Sequence, residues 1–103
     1  IRIPTPNVSM IDFTFHTGRK INTDDINLKV KKETEGSLKN VVQYNEMPLV
    51  SIDFNHNSAS SIFDSTQTQV TGENFGRILS WYDNEWGFSN RMIDVCKDLG
   101  KFL

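Results

Sequence analysis

The sequence predicts an α+β domain, with a mostly antiparallel mixed sheet and helices on one face. Three observations carry this expectation. Stretches with the two-residue alternation of strands outnumber those with helical spacing, several links between them are too short for crossovers, and only two stretches have the capping or apolar stripe of a helix.

The first element is a strand over residues 8–17. Ile11, Phe13 and Phe15 alternate with Asp12 and Thr14, so one face is expected to be buried, and Pro4, Pro6 and Asn7 bound it on one side and Gly18 on the other. A helix is expected over residues 23–35, with Thr23 as its N-cap, Asp24 and Asp25 at the positive end of its dipole, and Gly36 as its stop. Ile26 and Val30 would face inward, while Lys29, Lys31, Lys32, Glu33 and Glu35 read as a solvated face. Short strands follow at residues 41–44, 50–54 and 60–64, the second from the alternation of Val50, Ile52 and Phe54 up to the turn-forming Asn55-His56-Asn57. Residues 66–71 and 75–82 flank Gly72-Glu73-Asn74, a link suited to a hairpin. In the second arm Phe75, Leu79 and Trp81 share one face and Ile78 and Tyr82 the other, which marks a central strand. A closing helix, starting between residues 85 and 90 and ending near Gly100, carries Met92, Ile93, Cys96 and Leu99 as its apolar stripe.

The 103 residues are about one domain's length. With 11 Lys and Arg against 13 Asp and Glu, the formal charge of −2 argues against a nucleic-acid or anionic-membrane surface. Hydrophobic residues make up only 37%, so the seven Phe, two Trp and two Tyr must supply much of the core. A single Cys excludes an intramolecular disulfide framework and fits a reducing compartment. No stretch approaches the ~18 consecutive apolar residues of a membrane span, and no signal peptide is visible. The start at Ile1-Arg2-Ile3-Pro4, apolar and without Met, suggests a segment of something longer.

Among residues able to carry chemistry, Cys96 reads as a buried small hydrophobe of the apolar stripe rather than a nucleophile. His16 and His56 stand alone, without metal-ligand spacing, and read as surface residues. The sequon Asn7-Val8-Ser9 has no secretory context. Arg2 lies between apolar Ile1 and Ile3, and its planar fork suits a phosphate or carboxylate as well as a surface ion pair. Asp83-Asn84-Glu85 falls at a strand-to-helix junction, a common ligand position. The Asn84 carboxamide can either cap the helix or pair with another carboxamide.

Three blocks resemble the C-terminal part of the glyceraldehyde-3-phosphate dehydrogenase family: residues 2–9 (RIPTPNVS), Asp53-Phe54-Asn55 with residues 60–64 (SSIFD), and residues 80–91 (SWYDNEWGFSNR). Order and spacing agree across essentially the whole chain. Within the family, Pro48-Leu49-Val50-Ser51, Phe54-Asn55-His56-Asn57, Thr66-Gln67-Thr68 and Trp86-Gly87-Phe88 with Asn90-Arg91-Met92 are similar to the bacterial erythrose-4-phosphate dehydrogenase branch, whereas Tyr82 departs from a Cys frequent there. The resemblance implies that residues 1–103 are the C-terminal part of a catalytic domain, with an N-terminal Rossmann-type domain that binds NAD absent from this chain. It implies a cytoplasmic homotetramer that oxidises a phosphorylated sugar aldehyde, erythrose 4-phosphate in the first reading and glyceraldehyde 3-phosphate in the alternative, through a Cys nucleophile and a His base that match neither Cys96 nor His16 nor His56. It also implies that Arg2 binds phosphate, that Asn84 holds the nicotinamide carboxamide, and that Phe88 packs near that ring in place of the family's usual Tyr. The chain alone is then expected to be inactive and to associate, because strands 8–17 and 75–82 would lack neighbours. A non-catalytic binding module that reuses the fold is the alternative from another class.

Overall fold

The structure, a computed structural model, describes residues 3–103. Its elements in chain order are β1 (Ser9–His16), α1 (Thr23–Glu35), β2 (Val42–Asn45), a single 3-10 turn (Ser51–Phe54), β3 (Ser61–Thr71), β4 (Phe75–Tyr82) and α2 (Trp86–Gly100). The strands form one mixed sheet in the order β1-β4-β3-β2. β4 pairs antiparallel with β1 and β3, and β2 pairs parallel with β3. The parallel pair is possible because residues 46–60 give the chain enough length to cross over. β4 is therefore central, as its two apolar faces imply, and it lacks no neighbour. The open edges of the described sheet are β1 and β2.

Three local expectations are overturned by polar side chains that capture backbone groups. Asn22, not Thr23, caps α1: its Oδ1 accepts from the Asp25 N–H at 2.8 Å. The expected strand at residues 50–54 is a 3-10 turn, because the Asp53 carboxylate accepts from the Val50 N–H at 2.8 Å and folds the chain back. Phe54 is then buried and Ile52 exposed. The expected strands at 60–64 and 66–71 are one strand with a register shift between Asp64 and Gln69. Asp64 is again the cause, with its Oδ1 taking the N–H and hydroxyl of Thr66.

The strand register sorts the sheet into two faces. On one face Phe54 stacks on Trp81, with ring centroids 5.5 Å apart, and Val8, Ala59, Ile62 and Leu49 complete the core. Trp81 Nε1 donates to Asp64 at 3.0 Å, which satisfies the indole inside that core. The other face carries Tyr44 stacked on Phe63 at 5.6 Å, covered by α1, whose Lys31 ammonium lies over the Tyr44 ring. Asn27 of α1 fixes this docking by accepting from the Thr68 hydroxyl and donating to the Ser65 carbonyl.

Cover on that second face stops short of β1. Ile11 and Phe13 are each 53% exposed, contrary to the buried face expected. Phe15 instead folds its ring over Gly76, where a Cβ would approach ring carbons to 2.5 Å. The stripe of α2 is also exposed, Cys96 included, so that thiol is not the buried one expected. α2 approaches residues 40 and 58–59, which lead into β2 and β3, through Gly87 and Arg91, and only α1 fulfils the expectation of helices laid on one face. The radius of gyration, 15.4 Å, exceeds the ~13 Å of a compact domain of this length and reflects these uncovered faces.

The core position of Ile62, 2% exposed, gives a direct test. Ile62→Ala is expected to lower stability by about 2–5 kcal/mol, whereas Ile11→Ala should change it by less than about 1 kcal/mol, both read as shifts in the urea midpoint.

Candidate functional site

Three segments converge where β4 leaves the sheet: residues 5–8, the turn at Asn55-His56, and Asp83-Asn84-Glu85 ahead of α2. Asp83 joins them. Its carboxylate is 2% exposed and is filled by four donors. Oδ1 accepts from the N–H of Glu85 at 3.1 Å and of Trp86 at 2.8 Å, while Oδ2 accepts from the N–H of His56 at 2.9 Å and from Asn7 Nδ2 at 2.8 Å. Asn7 Nδ2 also donates to Asn55 Oδ1 at 2.8 Å, which closes the connection between the two loops. Burial pushes the Asp83 pKa up, but the N–H groups of Trp86, His56 and Glu85 and the Asn7 amide outweigh it and hold the carboxyl below its usual range.

This arrangement decides the role of Asn84. The helix-capping work open to its carboxamide is done by Asp83, and Glu85 at the N-cap position makes no side-chain cap bond. Asn84 is exposed, and its side chain makes no hydrogen bond to the described residues. Phe88 is the third residue of α2, one helical turn on, and is exposed as well. The two predicted ligand residues therefore belong to one junction, each with its functional group presented to solvent. Arg2, the third, lies outside the described residues.

The helix start is held down by close backbone approach. A Cβ on Gly87 would sit 2.6 Å from the Ala59 carbonyl oxygen, so only glycine lets α2 begin this near the Ser58–Ser60 stretch. Arg91, one turn later, donates through Nη1 to the Asn40 carbonyl at 2.7 Å and pairs with Asp94 at 2.8 Å. His56 is more than the plain surface residue expected. Its backbone is left-handed, with φ 60°, and its ring lies 5.0 Å from that of Trp86. His16, at the far end of β1, rests on Phe75 and takes no part. Among the described residues no cluster of three or more His, Cys, Asp and Glu could hold a metal ion, and no helix is long and apolar enough to cross a membrane.

Sequence reasoning names Asp83 within this junction but gives it no role of its own. The available signal was its place two and three residues before unsatisfied helix N–H groups, the position of a capping acid. Asp83→Asn should destabilise the fold most at neutral pH. A folded pKa below the unfolded value of ~3.9 contributes stability that is present above that value and lost as pH falls through the folded pKa. The difference in melting temperature between wild type and variant is thus expected to narrow below pH ~4.

The family described as "Glyceraldehyde 3-phosphate dehydrogenase, C-terminal domain" matches residues 1–84. The chromosomal glyceraldehyde-3-phosphate dehydrogenase of Cupriavidus necator is 51% identical over 95 residues, 92% of this chain and 28% of that protein. The enzyme of the same name from Cereibacter sphaeroides is 47% identical over 103 residues, 100% of this chain and 31% of its own length. That of Xanthobacter flavus is 48% identical over 101 residues, 98% and 30% respectively. The chain spans less than a third of each of these relatives. The family match over residues 1–84 and the identity to these relatives show that the chain belongs to the glyceraldehyde-3-phosphate dehydrogenase family, through that family's C-terminal domain.

Proposed function

We propose that this chain is the C-terminal part of an NAD-dependent dehydrogenase that oxidises glyceraldehyde 3-phosphate, and that its role is to hold rather than to react. The observation that carries this reading is the unspent carboxamide of Asn84, exposed on a turn whose capping is already provided by Asp83. A carboxamide offers one acceptor and two donors, the complement of a second carboxamide, so this residue fits the amide of a nicotinamide ring. Bound NAD supplies the hydride acceptor. Asn84 fixes the amide, Phe88 offers an apolar surface beside it, and Arg2 supplies a fork for the substrate's phosphate.

The reacting thiol and base come from outside this chain in our reading. Cys96 is exposed on α2 and hydrogen-bonds to no described histidine, so it lacks the adjacent base that activates a nucleophile. The reading extends to an N-terminal NAD-binding domain in the same polypeptide, to a homotetramer and to a place in glycolysis within the cytoplasm.

The names of the relatives support glyceraldehyde 3-phosphate as substrate. Erythrose 4-phosphate is the second reading, supported by the run Trp86-Gly87-Phe88 with Asn90-Arg91-Met92 and by Phe54-Asn55-His56-Asn57. One carbon separates the two aldehydes, a difference that binding alone resolves by about 10–200-fold. The full-length protein, assayed with NAD and phosphate on both aldehydes, is expected to favour glyceraldehyde 3-phosphate in kcat/KM by a ratio in that range. An inverted ratio establishes the second reading, and turnover of neither aldehyde defeats both. The chain alone is expected to give no turnover under the same conditions.

A further inference from the structure

We propose that Asp83 is the positioning residue of this site: it locks the main chain on both sides of Asn84 and ties that turn to the two loops beside it, so that the carboxamide is aimed before its ligand arrives. The proposal rests on the reading of Asn84 as the group that holds the nicotinamide amide. An ionised carboxylate is an acceptor only, with about four lone-pair sites, and here four donors from three segments occupy them. The residues on either side of Asn84 are thereby fixed, one as the acid itself and the other through the Glu85 N–H, while the Asn84 side chain is left unengaged by the described residues. The same oxygen that takes the His56 N–H takes the Asn7 amide, and Asn7 belongs to the segment that follows Arg2. One buried carboxylate thus sets the spacing between the turn bearing Asn84 and the strand-leading segment that carries Asn7. An asparagine at position 83 keeps one accepting oxygen and turns an NH2 group toward N–H donors, so two of the four bonds become donor against donor.

The test is a double-mutant cycle on the full-length protein, read as the Kd for NAD by titration calorimetry. Asp83→Asn and Asn84→Ala are each expected to weaken binding roughly tenfold, the scale of a small misplacement of a binding group. If Asp83 acts through Asn84, the double variant binds no more than about twofold worse than Asn84→Ala alone. Effects that multiply, or an Asp83→Asn variant that binds as wild type, overturn the proposal while leaving the reading of Asn84 intact. An Asn84→Ala variant that binds as wild type overturns both. Asn7→Ala removes one of the four donors to Asp83, together with the bond to Asn55, and keeps the test available should Asp83→Asn fail to fold. It is expected to weaken binding less, and again only when Asn84 is present; a loss that persists unchanged in the Asn84→Ala background counts against the proposal.

Discussion

The buried carboxylate of Asp83 is the constraint on which the geometry of this end of the molecule depends. Helix α2 begins with N–H groups that nothing within the helix can satisfy, the His56 turn presents another, and the Asn7 side chain a fourth. A neutral acceptor could serve one or two of them. A carboxylate serves all four at 2.8–3.1 Å, and because it is withdrawn from water those charge-assisted bonds are stronger than their exposed equivalents. Burial alone would make the ion expensive. The donors reverse that balance and hold the carboxyl below its usual range.

This explains why two adjacent residues have opposite fates. Asp83 turns inward and is fully satisfied, so Asn84 need not cap the helix and can face outward. A turn in which the asparagine performed the capping would have spent its carboxamide on the backbone. Gly87 completes the arrangement from the other side: with α2 seated against the Ala59 carbonyl, the helix start cannot drift away from the acid that caps it.

What the sequence disclosed follows the same physics. The helix at Thr23–Glu35, the hairpin about Gly72, and the central place of β4 were legible because each rests on local chemistry or on alternation along one strand. The block at residues 80–91 was legible as a family resemblance, which the match to the family's C-terminal domain bears out. What was hidden depends on partners remote in sequence or on side chains that override alternation. Val50, Ile52 and Phe54 alternate as a strand does, yet the Asp53 carboxylate closes them into a turn. Ile11 and Phe13 have the period of a buried face, but periodicity reports that a face is apolar, not that something lies over it. The same is true of Met92, Ile93 and Cys96 on α2. Asp83 was obscure for another reason: two of its four partners lie 27 and 76 residues away.

The backbone records how firmly the site is held. Val8 has φ 75° and His56 φ 60°, both in the left-handed region, where a β-branched residue such as Val8 is a genuine outlier. Such a conformation costs of order 1–3 kcal/mol, and it persists only where the surroundings determine it. For Val8 the surroundings are the core: its side chain is buried with Phe54, Ala59 and Ile62, a gain of about 1.5–3 kcal/mol for a side chain of this kind. The two magnitudes are alike, so the hydrophobic anchor is able to hold the kink. Asn7, the residue immediately before it, is thereby turned toward Asp83. A glycine in place of Val8 would relieve the strain and release the anchor together, leaving Asn7 directed by its own hydrogen bonds alone. The strained valine and the buried acid therefore act on Asn7 together: apolar packing fixes the residue after it, and the carboxylate takes its side-chain amide.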